Sequence, residues 1–121
     1  MKTYIVKVDE FGTKRWYLND KLHCEHGPAI EYDDGSKLWY LNGKLHREDG
    51  PAVEESNGTK RWYLNGKSHR TDGPAVEYSD GTKHWYLNGQ RYSEVEWRKQ
   101  LKADWRKQLK ADGVKYKLVK I

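Results

Sequence analysis

The sequence predicts a mostly β fold: an antiparallel β-hairpin repeat array of 23-residue period, a meander or solenoid-like sheet, with one C-terminal amphipathic α-helix and a closing strand. Three observations predict it. First, Trp16, Trp39, Trp62 and Trp85 recur every 23 residues, as do Gly12, Gly35, Gly58 and Gly81, and Asn19, Asn42, Asn65 and Asn88; self-similarity at a fixed period of this size marks a repeat architecture. Second, the copies carry two kinds of turn spelling, Asp34-Gly35, Asn57-Gly58 and Asp80-Gly81 on one side and Asn42-Gly43, Asn65-Gly66 and Asn88-Gly89 on the other. Third, after residue 92 the apolar spacing changes to four, with Trp97, Leu101, Trp105 and Leu109 in register.

A chain of 121 residues fits one domain. Residues 1–11 form an N-terminal strand and 12–92 four repeats, the fourth incomplete; 93–112 form the helix and 113–121 the closing strand. Leu, Ile, Val and Phe together supply only 21 residues, but 16 aromatic residues (Trp 6, Tyr 9, Phe 1) replace them as the hydrophobic drive. Disordered chains are poor in aromatics, so the composition predicts folding. No apolar run approaches the ~18 residues of a membrane span. The opening residues hold only Tyr4, Ile5 and Val6 between lysines, too short for a secretory leader. With one cysteine, Cys24, no internal disulfide forms, and a reducing cytoplasm is the expected home. Later copies have Arg47 and Arg70 at that position, so Cys24 is expected at the surface.

The strands of residues 4–9 fit the repeat register poorly and their pairing stays open. Within the copies, Asn-Gly and Asp-Gly suit two-residue type I′ turns, whose central residues both need positive φ. Such a turn at Asp34-Gly35 pairs Tyr32 with Lys37, Ile30 with Trp39 and Pro28 with Leu41 on one face, leaving Ala29, Glu31, Leu38 and Tyr40 on the other. The same register sets Glu54 opposite Arg61. Closing Asn42-Gly43 sets His46 beside Trp39. Glu48-Asp49-Gly50-Pro51 and Thr71-Asp72-Gly73-Pro74 read as turns in which proline opens the next strand. The tryptophans and Gly35, Gly58 and Gly81 are read as structural.

The residues W-Y-x-N-G-K-x-H, followed by G-P-A and D-G-x-K, resemble the membrane occupation and recognition nexus (MORN) repeat over residues 12–92, and more closely a variant found in small bacterial and bacteriophage proteins. The usual His-Gly-x-Gly is here His46-Arg47-Glu48-Asp49-Gly50, one glycine fewer and a longer loop. The resemblance implies a hairpin architecture. It also implies a phage-encoded protein that inhibits a host protein, such as a component of antiviral defence, by occluding it in the host cytoplasm.

Residues 1–92 hold 14 basic and 14 acidic residues, and 93–121 hold 9 and 4, so the whole net charge of +5 sits in the last segment. There WRKQLKAD occurs twice in tandem, preceded by the capping-box spelling Ser93-Glu94-Val95-Glu96 and followed by Gly113 as a stop. Arg98, Lys102, Arg106 and Lys110 form a cationic stripe beside the apolar one. A single sheet cannot bury its own apolar face, so the apolar stripe is expected to cover the tryptophan row or the open end of the array. GVKYKLVKI then alternates as a strand does.

Chemistry of a catalytic kind is not expected. His23, His46 and His69 fall on successive hairpins about 10 Å apart, whereas metal ligands lie about 2 Å from their ion, so they cannot share one. Cys24 with His23 or His26 lacks an orienting third group. No enzyme activity, metal or cofactor is predicted. Tyr17, Tyr40, Tyr63 and Tyr86 are expected on the face opposite the tryptophans, beside Arg47, Arg61 and Arg70, with the composition of a protein-binding surface. The predicted function is therefore non-enzymatic protein binding. The alternative is nucleic acid, nucleotide or an anionic surface, held by the same ladder or by the basic helix.

Overall fold

A computed structural model of the chain describes residues 2–111 and Gly113. An opening hairpin joins β1 (Ile5–Val8) to β2 (Lys14–Leu18), and β3 (Lys21–Leu22) turns back on β2. The second copy supplies β4 (Ile30–Glu31), β5 (Lys37–Leu38), β6 (Tyr40–Leu41) and β7 (Lys44–Leu45). The third supplies β8 (Val53–Glu54), β9 (Lys60–Arg61), β10 (Tyr63–Leu64) and β11 (Lys67–Ser68). The array ends in β12 (Val76–Glu77), β13 (Lys83–Leu87), β14 (Gln90–Tyr92) and the helix α1 (Glu94–Ala111). All pairings are antiparallel, and the sheet stays open in the order β1-β2-β4-β5-β8-β9-β12-β13-β14, with β3 on β2 and the pairs β6-β7 and β10-β11 beside it. Neither end closes on the other, so this is a meander and not a barrel.

The short strands reflect a change of partner at each tryptophan. Leu38 pairs with Val53, but Tyr40 pairs with Leu45. Trp39 sits between: its N–H donates to the Ala52 carbonyl at 2.8 Å and its carbonyl accepts from His46 N–H at 3.0 Å. On the other side the partner changes too, from Ala29 N–H on Leu38 O to Cys24 N–H on Tyr40 O. The array is thus two ribbons of hairpins joined along the tryptophan row. Between them the core is thin, and its buried apolar residues are Ala29, Ile30, Ala52, Val53, Ala75, Val76, Leu87 and Trp97.

The second turn of each copy matches expectation: Asn42, Asn65 and Asn88 have φ of 52°, 50° and 50°, followed by Gly43, Gly66 and Gly89 at 79°, 80° and 83°. His46 lies opposite Trp39, as that turn requires. The first turn does not match. Gly35 N–H donates to Tyr32 O at 3.1 Å and Tyr32 N–H to Ser36 O at 2.9 Å, so three residues, Asp33, Asp34 and Gly35, form the loop. Only Gly35, at φ 93°, is left-handed there; a type I turn plus a left-handed glycine is the usual three-residue hairpin. One extra residue moves the register by one and exchanges the faces. Ile30 therefore faces Leu38, not Trp39; Glu31 faces Lys37; and Glu54 faces Lys60 while Arg61 faces Val53 and Val76. The result is a continuous cross-strand row Lys14, Glu31, Lys37, Glu54, Lys60, Glu77, Lys83 in which every neighbour has the opposite sign. Opposite charges directly across strands favour this register.

The N-terminal strand joins the same scheme. Asp9 N–H donates to Thr13 O and Gly12 N–H to Asp9 O, each at 3.1 Å, the three-residue loop again, and Val8 pairs with Lys14. Glu96 N–H donates to Ser93 Oγ at 3.2 Å, the predicted N-cap. At the far end Gly113, φ 70°, donates its N–H to Lys110 O as a left-handed C-cap. The predicted closing strand lies outside the described residues except for Gly113. The helix covers one end of the array and not the tryptophan row. Trp97 alone is buried, Leu101 and Leu109 are half-buried, and Trp105 is 67% exposed. No helix among the described residues is long and apolar enough to cross a membrane.

Candidate interaction surface

The loops between hairpins fix the arginines. In the second copy the Arg47 guanidinium lies over the Trp39 ring, 3.9 Å from its centroid. Its Nε donates to Asp49 Oδ1 at 3.1 Å, and one terminal N donates to the Pro51 carbonyl at 3.0 Å and to Glu54 Oε1 at 3.2 Å. Arg70 repeats this on Trp62 at 3.7 Å, with Asp72, Pro74 and Glu77 at 2.7, 3.0 and 3.1 Å. A planar cation stacked on indole with its donors satisfied is a favourable packing unit. Gly50 and Gly73 make room for it, since a Cβ there would stand 3.0 and 2.8 Å from the guanidinium carbon. Arg47 and Arg70 were expected beside the tyrosines; they belong to the tryptophans instead, because their loop folds back over its own repeat. The signal was available in the shared spelling Arg-x-Asp-Gly-Pro-Ala-Val-Glu.

The histidines link one repeat to the next. Asn42, Asn65 and Asn88 N–H groups donate to Nδ1 of His23, His46 and His69, each at 2.9 Å. Each ring therefore carries its proton on Nε2, which in His23 and His46 faces Glu25 and Glu48 at 3.4 and 3.5 Å. Burial lowers the His69 pKa, opposed in part by Asp104 of the helix. No group of three or more His, Cys, Asp or Glu among the described residues is placed to hold a metal ion.

Tyr17, Tyr40, Tyr63 and Tyr86 are all half-buried, and their hydroxyls have no protein partner among the described residues. Lys7 lies over the Tyr17 ring at 5.0 Å. Burial raises the Tyr40 pKa, helped by Tyr32 and Tyr63 nearby. Arg61 is half-buried, 5.3 Å over the Tyr78 ring and bonded to Glu55 at 3.1 Å. On the helix, Arg98 pairs with Glu94 at 3.0 Å, while Lys102, Arg106 and Lys110 are exposed. Cys24, expected at the surface, is half-buried, and its N–H donates to Tyr40 O at 3.1 Å.

The ends of the array differ from its interior. Trp85 is covered by Trp97, ring centroids 4.7 Å apart, and the Trp97 indole N–H donates to Arg70 O at 3.0 Å. Trp16 meets the edge of Tyr4 at 5.8 Å. Comparison with known proteins finds no family model, no curated protein and no solved structure that matches the chain.

Proposed function

We propose that this protein is a non-enzymatic protein-binding module whose contact surface is the row Tyr17, Tyr40, Tyr63 and Tyr86 with Arg61. The observation that carries the reading is the repetition of a half-buried tyrosine at every 23rd residue with its hydroxyl unbonded among the described residues. A ring fixed by packing with a free polar tip is the anchor that protein interfaces favour, and repeat arrays present such anchors at regular spacing. Arg47 and Arg70 are engaged within their own repeats, on Trp39 and Trp62, and are left out of the surface. The resemblance to MORN-like phage proteins supplies the kind of partner, a host protein inhibited by occlusion.

The test is affinity capture from host lysate followed by Tyr63→Ala. Loss of one aromatic hot spot costs at least about 2 kcal/mol, so the complex should weaken about thirtyfold while circular dichroism stays unchanged. A stoichiometric partner whose affinity ignores Tyr63 refutes the surface. A second reading rests on Trp105, 67% exposed between Lys102 and Arg106: a basic face for nucleic acid. Retention of RNA that falls steeply between two salt concentrations in an electrophoretic shift favours it.

A further inference from the structure

The three complete copies share one loop, but the first lacks its arginine. Cys24 stands where Arg47 and Arg70 stand in the others. The rest of the arginine's surroundings is kept: Trp16 for Trp39 and Trp62, Gly27 for Gly50 and Gly73, Pro28 for Pro51 and Pro74, Glu31 for Glu54 and Glu77. The backbone is kept too, since Trp16 N–H donates to Ala29 O at 2.8 Å as Trp39 does to Ala52 O. His26 replaces the third acceptor, Asp49 or Asp72.

With a thiol in place of a guanidinium, the receiving groups are unmatched. Among the described residues neither the Pro28 carbonyl nor the Glu31 carboxylate has a hydrogen-bond donor or an ion pair, although Lys14 and Lys37 flank Glu31 across the strands. A Cβ on Gly27 would meet nothing within 4 Å, where the same atom on Gly73 would meet Arg70 at 2.8 Å. Tyr4 does not take the guanidinium's place: its ring meets Trp16 at 5.8 Å and stacks on His23 at 6.2 Å, and none of its atoms lies within 4 Å of a Cβ on Gly27. Glu25 is engaged elsewhere, by Lys2 and His23.

We propose that the first repeat is a receptor for an arginine side chain of the protein partner, with Trp16 as the stacking surface and Pro28 O and Glu31 as the acceptors. The ligand class follows from the chain itself, which places a guanidinium on the same three groups twice. Lysine fits poorly, because an ammonium has no plane to lay flat on the indole while its donors reach the acceptors at the ring's edge. The proposal rests on the protein-binding reading, and its tests separate the two.

The first test follows the indole N–H resonances by NMR during titration with N-acetyl-arginine methylamide, and with the lysine analogue as control; Trp16→Phe identifies the Trp16 signal. The Trp16 signal should move saturably and respond to arginine about tenfold more tightly than to lysine. Cys24→Arg places the protein's own guanidinium in the receptor, so it should abolish the response and raise Tm by at least about 3 °C. Glu31→Gln keeps the shape and should also weaken the response. A Trp16 signal that stays still, or that responds equally to lysine or in Cys24→Arg, overturns the proposal. The second test applies Cys24→Arg to the Tyr63-dependent complex. Weakening of about tenfold or more supports the receptor; an unchanged affinity overturns it and leaves the protein-binding reading standing.

Discussion

In the two interior repeats the indole is covered from within: Arg47 over Trp39 and Arg70 over Trp62, each guanidinium tied to its own loop. In the terminal repeats the ring contact comes from outside the repeat, and at Trp16 it leaves the arginine's place beside Gly27 open. Position 24 holds cysteine and position 93, the matching site after Trp85, holds the helix-capping serine. Tyr4 meets Trp16 and Trp97 meets Trp85. The two contacts are unequal. Trp97 is 3% exposed and its indole N–H is satisfied, whereas the buried Tyr4 hydroxyl has no partner among the described residues, a cost that only a well-packed ring offsets. The difference teaches that the motif builds the array but does not end it. Each terminus needs an aromatic group from a non-repeating segment, as capping of repeat proteins requires.

The largest expected effect breaks the C-terminal cover. Trp97→Ala removes a buried indole, its stacking on Trp85 and a hydrogen bond, and should cost about 3 to 5 kcal/mol in chemical denaturation. Trp105→Ala, one turn pair further along the same apolar stripe, should cost under about 0.5 kcal/mol because that ring is exposed. Similar losses from both would mean that the whole stripe is packed and the helix lies elsewhere.

The interior cover is tested through its glycines. Gly27, Gly50 and Gly73 occupy the same place, none at positive φ, and differ in what a methyl would meet. Gly73→Ala must push a guanidinium that is stacked and bonded to three acceptors, and should cost about 1 to 2 kcal/mol. Gly27→Ala meets open space and should stay within about 0.5 kcal/mol of wild type. Equal costs at the two sites would show that the arginine is not the obstacle.

These contrasts mark where the sequence is informative. The 23-residue period, the Asn-Gly turns and the Ser93 and Gly113 caps were legible because each depends on local chemistry. The Asp34-Gly35 turn was misread because Asp-Gly serves both a two-residue and a three-residue hairpin. The choice is made by the wider sheet, where the alternating Lys and Glu row and the burial of Ile30, Val53 and Val76 favour one register. The arginines on the tryptophans were hidden for another reason, since their loop leaves the hairpin ladder after His46 and Arg47 folds back over Trp39. The extent of helix coverage was not legible either. Periodicity gives a helix an apolar face, but not the length of surface available to cover it: Trp97 packs on Trp85, whereas Trp105, two turns on, is 67% exposed.

The smallest effect concerns the joints between repeats, which the interior and the end share. Asn88 N–H donates to His69 Nδ1, so the bond requires a neutral ring. A second proton would sit on Nδ1, against the donor. In the folded chain burial lowers the His69 pKa, while the Asp104 carboxylate pulls the other way; in the unfolded chain histidine titrates near about 6.5. The fold thus favours the neutral form. Its contribution is complete above about pH 6.5 and is lost as pH falls through the lower folded value, where the unfolded chain binds the proton first. Urea midpoints should drop between about pH 7.5 and about pH 5.5. Asp104→Asn removes the opposing charge and should steepen that drop, and His69→Gln, whose amide oxygen can still accept from Asn88, should flatten it. A wild-type midpoint that is the same at both pH values, or an Asp104→Asn drop shallower than wild type, would place the proton-sensitive joint elsewhere in the array.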